Sequence, residues 1–248
     1  MKLSILTAAA LLALGTAAPA ATITSVSGVW VNATYNGAGP GTSNGVEYGL
    51  NTNEISWGQF GDTTSTGPGR SGYVFNGSSA PFDIIPDTQF DFGLFTHNNG
   101  VVSSAHATLA TAILLVTIGV TFEPSDPSTY LYAAYQFTHQ ETPNVEGTCP
   151  AGSVTVCDDV ITFSLIDESA STIIYDGKEY AFLLDQFVTS TNVPVDAFMT
   201  AEGQANSAWL VGSFREVVPA AVPVPAAAPL LLAGLGALGF AARRRKAA

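Results

Sequence analysis

The sequence predicts an all-β fold, a β-sandwich with the jelly roll as one candidate arrangement, on three observations. Several segments alternate apolar and polar residues with period two, the mark of a strand with one face inward and one outward. Glycine-rich turn signals separate them: Asn-Gly pairs begin at Asn36, Asn44, Asn76 and Asn99, and Asp176-Gly177 lies between two short strand-like runs. Twenty-four glycines and only 2 methionines in 248 residues argue against a helical bundle, because glycine costs a helix interior about 1 kcal/mol relative to alanine. Many short strands without an internal repeat favour a sandwich over a propeller or β-helix.

The elements follow in order. Val29, Val31, Ala33 and Tyr35 alternate with Trp30, Asn32 and Thr34, which predicts a first strand with the former four on one face. Gly37 to Gly45 is a polar loop, and Gly61 to Gly72 another. Between them, Trp57 sits in a short apolar strand and is expected in the core. Phe90, Phe92 and Leu94 alternate with Gln89, Asp91 and Gly93. Thr96-His97-Asn98-Asn99-Gly100 then reads as a strand end and a rigid corner, with Gly100 supplying a positive φ.

Ala110 to Phe122 is apolar on nearly every residue but too short to span a membrane, and it carries Thr111, Thr117 and Thr121. It is expected as a long central strand with Ala112, Leu114, Val116, Ile118, Val120 and Phe122 on one face. Leu131, Ala133, Tyr135 and Phe137 mark the next strand. Asp176-Gly177 predicts a type I′ hairpin joining Ile173-Ile174-Tyr175 to Lys178-Glu179-Tyr180. The stretch Tyr180 to Val188 is compatible with strand or helix. The pattern amounts to roughly ten or eleven strands.

The two ends read as addresses. Met1-Lys2, an apolar stretch from Ile5 to Leu14 and Ala18-Pro19-Ala20 form a secretory signal peptide over 1–20. An exported domain is expected over 21–218 and a Pro/Ala linker over 219–225. Residues 226–248 then read as a transmembrane helix whose Arg243-Arg244-Arg245-Lys246 end stays in the cytoplasm.

Charge narrows the function. Eight Lys and Arg stand against 20 Asp and Glu, and charged residues make up 11 % of the chain. Between 21 and 225 only Arg70, Lys178 and Arg215 are cationic against all 20 acids, so this part carries a net charge of −17. Nucleic acid is excluded as a partner, since its binding needs a basic face. A solvated acidic surface accounts for the charge. Calcium is the one cofactor the acids suggest, and only weakly, because no Asp-x-Asp-x-Asp-Gly loop or Gly/Asp repeat is present. Otherwise no cofactor is expected.

Few residues offer chemistry. Cys149 and Cys157 are expected as a disulfide, the default for an exported pair. Metal ligation or nucleophilic catalysis fits two cysteines without a close histidine poorly. His97, His106 and His139 show no i, i+2 or i, i+4 spacing among themselves, so no metal site is expected, a site assembled by the tertiary fold being left open, and His139 is placed at the surface. The sequence lacks a nucleophile elbow, a His-Glu-x-x-His motif and a phosphate loop, so no catalysis is expected. Trp209 is the best candidate for a ligand-contacting aromatic. These features favour a structural or interaction role at the cell surface or in extracellular matrix. The alternative is a carbohydrate-binding module or a glycosidase on the same scaffold.

Two resemblances sharpen this reading. Val222-Pro223-Val224-Pro225-Ala226, the apolar run after it and the terminal Arg cluster resemble the PEP-CTERM class of sorting signals. The nearest form is VPLPA-CTERM, with Val224 standing where that form has Leu. The resemblance implies an exosortase as processing partner, a Gram-negative host that makes extracellular polymer, transient residence in the inner membrane and a final place at the surface or outside. Extracellular polysaccharide is then a candidate partner. Further, Thr96, His97 and Asn99 match the T-H-x-N pattern of the THxN family of PEP-CTERM proteins. Glu54-Ile55-Ser56-Trp57-Gly58, Ser71-Gly72-Tyr73 and the Cys149 to Asp159 element are similar in order to those of the related choice-of-anchor domains. That likeness implies an exported domain and assigns no role to His97.

Overall fold

The computed structural model describes residues 21–37, 49–58, 70–122, 127–142, 149, 158–168, 172–175 and 178–217. The protein is all-β. Twelve strands run in chain order among the described residues: β1 Ala21–Asn36, β2 Glu54–Gly58, β3 Arg70–Gly77, β4 Phe82–Ile84, β5 Gln89–Asn98, β6 Thr108–Thr121, β7 Thr129–Gln140, β8 Asp159–Glu168, β9 Thr172–Tyr175, β10 Lys178–Val188, β11 Ala197–Thr200 and β12 Ala205–Glu216. This is slightly more than the alternation predicts, because a piece such as β4, of three residues, is too short to show a period. Two six-stranded sheets result, ordered β11-β8-β7-β6-β1-β4 and β2-β3-β5-β12-β10-β9. All pairings are antiparallel.

The sheets share one core. Trp30 of β1 meets Tyr73 of β3 with ring centroids 5.1 Å apart, and Phe95 of β5 meets Phe137 of β7 at 4.9 Å. Each contact crosses from one sheet to the other, and such pairs add about 0.5–1.5 kcal/mol beyond their buried area. β6 is the expected central strand: Ala112, Leu114, Val116, Ile118 and Val120 are fully buried. The stretch Tyr180 to Val188 is strand, within β10. Tyr175 pairs with Lys178, which leaves Asp176-Gly177 as a two-residue connection, although these two lie outside the described residues.

Two strands change face midway, against the uniform alternation expected. In β1 Trp30 is fully buried, not Val29 or Val31, while Ala33 and Tyr35 do pack on the core. The register against β6 shifts between Val31 and Thr34, and Asn32 adopts φ 52°. A bulge there moves the inward face by one residue. In β5 Phe90 and Phe92 face the core as expected, but Phe95 replaces Leu94. The register against β12 jumps from Gly93–Leu210 to Asp91–Val211, so Phe92 is the extra residue. This bulge decides which way the rest of β5 points, His97 included.

Gly100 has no positive φ. Its requirement is close approach, since a Cβ there would lie 2.0 Å from the Arg70 carbonyl oxygen. Among the described residues no helix is long and apolar enough to cross a membrane. The expected signal peptide, the linker from 219 onward and the helix over 226–248 lie outside them. Cys149 is half-buried; Cys157, and with it the expected bridge, also lies outside.

Candidate metal centre

Five histidine and carboxylate side chains meet within the fold. After the Phe92 bulge, Phe95 and His97 point inward, and His97 is fully buried. Its direct register partners are Tyr73 on β3 and Asn206 on β12. From the other sheet comes His139 on β7, also buried, where a surface residue was expected. The reason is regular: Leu131, Ala133, Tyr135 and Phe137 are buried, and His139 takes the next inward position of the same alternation. Glu141 is one step further along that face, just beyond β7. Asp159 opens β8, fully buried, with Ile161 next on its inward side. Glu202 sits half-buried in the turn between β11 and β12.

The rings form a cage. His97 stacks nearly parallel to Trp57 at 6.3 Å and meets Tyr73 and His139 edge-on at 5.3 and 5.4 Å. His139 Nε2 is 3.4 Å from Glu141 Oε2 and 3.5 Å from Asp159 Oδ2. Its Nδ1 is 2.8 Å from the Tyr73 hydroxyl. The Thr142 backbone N–H and hydroxyl donate to Asp159 Oδ1 at 2.9 and 3.3 Å, leaving Oδ2 turned to the imidazole. Ligand-capable atoms of His97, His139 and Asp159 lie within 4.8 Å of one another, and so do those of Glu141, Asp159 and Glu202. The two histidines, without close sequence spacing, are thus brought together from two different sheets.

Asn99, three residues beyond Thr96, positions the Glu202 turn. Its side-chain amide donates to the Thr200 carbonyl at 2.7 Å. Its backbone N–H donates to Gln204, and its carbonyl accepts from Gly203. Thr96 faces the other way, its hydroxyl 2.9 Å from that of Ser207 at the surface. Within the T-H-x-N pattern, then, His97 and Asn99 belong to the cluster and Thr96 does not.

Burial and mutual charge shift most groups of the cluster. Burial, reinforced by His139, holds the His97 pKa well below the ordinary imidazole value, so its ring is neutral at physiological pH. Burial also acts to lower His139, but the hydrogen bonds and charges of Asp159 and Glu141 outweigh it and raise the pKa. Glu141 is raised by burial and by Asp159, against the pull of His139. Glu202 is pushed up to about 7 by burial and by the charges of Asp159 and Glu141, with Asn99 opposing. Burial and the same two carboxylates raise the Tyr73 phenol well above its usual value, so it stays protonated.

The other sequence-marked residues lie elsewhere. Trp209 is half-buried on β12, in register with Leu94 and Val188, between the core residues Ala208 and Leu210. Trp30 and Trp57 are fully buried. Val222, Pro223, Val224, Pro225 and Ala226 lie outside the described residues. Residues 221–246 match the family model described as the PEP-CTERM protein-sorting motif. No curated protein matches the chain.

Proposed function

We propose that this chain is exported, held briefly in the inner membrane by its tail, processed by an exosortase, and delivered to the cell surface or extracellular matrix of a Gram-negative bacterium. The observation that carries the reading is the sorting-motif match at 221–246, which follows an acidic all-β domain. The Pro-containing motif, apolar run and Arg cluster supply the three parts such a signal needs: a recognition site, a membrane stop and a cytoplasmic anchor. The domain in front, read as a β-sandwich and as a relative of the THxN and choice-of-anchor domains, serves a structural or interaction role without catalysis. Extracellular polysaccharide is the partner chemistry this reading names, with Trp209 on the outward side of β12 as the contact residue.

Intact mass and location in the native host, with and without the exosortase, test the proposal. Loss of the segment after about Ala226 together with mature protein outside the cell, both dependent on the exosortase, is the expected result. Full-length protein in the inner membrane of both strains would overturn it.

A further inference from the structure

We propose that His97, His139 and Asp159, with Glu141 and Glu202 beside them, bind one divalent transition-metal ion of the zinc class and thereby tie the two sheets together. Independently of how the tail is processed, the argument rests on donor placement. Three observations converge on it.

The first is unmet hydrogen-bonding capacity. Neither ring nitrogen of the buried His97 has a hydrogen-bond partner, and Asp159 Oδ2 faces His139 Nε2 at 3.5 Å, beyond a good hydrogen-bond distance. Folded proteins rarely leave such groups unmatched, and an ion is one of the standard explanations. A neutral imidazole inside a core, with the lone pair of its unprotonated nitrogen unused, is suited to bind a metal ion.

The second is geometry. Bonds of about 2.0 Å to a tetrahedral ion place ligand atoms about 3.3 Å apart. His139 Nε2 and Asp159 Oδ2 already stand at 3.5 Å. The His97 donor lies within 4.8 Å of both, a gap that side-chain rotation can close. Asp159 belongs to both close groups, so Glu141 and Glu202 adjoin the same point from their half-exposed positions.

The third is support around the ligands. Tyr73 holds His139 at Nδ1, so Nε2 is the atom presented. Thr142 holds Asp159 at Oδ1, so Oδ2 is presented. Asn99 fixes the turn that carries Glu202. Metal sites are built in this way, each ligand oriented through its other atom. Two imidazoles with carboxylates suit Zn²⁺ and its first-row neighbours, whereas Ca²⁺ takes oxygen ligands. The weak calcium expectation thus gives way to a nitrogen-containing donor set that no short-range spacing announces.

The test uses the full chain in detergent, stripped with chelator and titrated with Zn²⁺ alone. One equivalent should bind, the thermal midpoint should rise, and the imidazole nitrogen resonances of His97 and His139 should shift while those of His106 do not. Replacing Zn²⁺ by Co²⁺ should give a visible spectrum without thiolate charge transfer, which separates this site from Cys149 and Cys157. His97→Gln should lower the affinity at least 100-fold. No stoichiometric Zn²⁺ binding by the wild type, or binding that leaves the His97 and His139 resonances in place, overturns the proposal. The wild-type resonances decide the matter even if His97→Gln does not fold.

Discussion

Tyr73 and His139 stand on opposite sheets and meet through a 2.8 Å hydrogen bond between the phenol oxygen and Nδ1, with both side chains buried. The bond joins the sheets at the level of the polar cluster and fixes the imidazole face that looks at Glu141 and Asp159. Tyr73→Phe keeps the ring contacts with Trp30 and Phe95 and removes only the hydroxyl. The expected loss is about 1–3 kcal/mol of unfolding free energy, because His139 Nδ1 is left buried without its partner. Urea unfolding of the two proteins measures it.

Asn99→Ala should cost a similar amount, about 1–3 kcal/mol, since the Thr200 carbonyl then loses its buried donor at 2.7 Å. The effect should be local. Hydrogen exchange should quicken between Thr200 and Ala205 before it changes in β6. Uniform acceleration across both sheets would contradict the assigned role.

Thr96→Ala supplies the contrast within the same motif. Its hydroxyl meets Ser207 at the surface, so stability should move by no more than about 0.5 kcal/mol. A thermal melt that drops as far as that of Asn99→Ala would refute the outward assignment.

Gly100→Ala should destabilise by about 1–3 kcal/mol through overpacking. A Cβ there lies 2.0 Å from the Arg70 carbonyl oxygen, and that atom belongs to the backbone of β3 and cannot swing aside. A melt indistinguishable from wild type would show that β3 yields.

Glu202 predicts a pH dependence for the metal-free protein. Its folded pKa of about 7 lies above the ordinary glutamate value, so folding favours the protonated form. The associated stability is present below the unfolded value, about 4.3, and is lost as pH rises through about 7. The groups facing it are Asp159 from β8 and Glu141 from beyond β7, which raise it, and Asn99 from beyond β5, which opposes. Their neighbours His97 and His139 titrate in both proteins compared. Glu202→Gln mimics the protonated side chain, so with chelator present the variant should gain on the wild type between about pH 3.8 and 7.5, limits set at about half a unit outside the two values. Melts across that range check it, and a gap that narrows with rising pH would contradict the assignment.

The amino-acid sequence by itself determined the all-β class, the central strand β6, the Asp176-Gly177 hairpin register and the sorting motif at the tail. Each is written in neighbouring residues, as period two, a turn pair or a contiguous motif, and needs no knowledge of distant contacts. His139 was legible in principle, because it lies on the inward step of its own strand after Phe137. His97 was not. Continuing the alternation Phe90, Phe92, Leu94 puts Thr96 inward and His97 outward, and only the extra residue at Phe92, set by pairing with β12, reverses them. The cluster itself was decided by tertiary structure. Its members lie on β5, β7, β8 and two connecting segments, and only the packing of one sheet on the other brings their donor atoms within reach. A period of two states which side of a strand is apolar; it does not state which strand from the other sheet stands opposite.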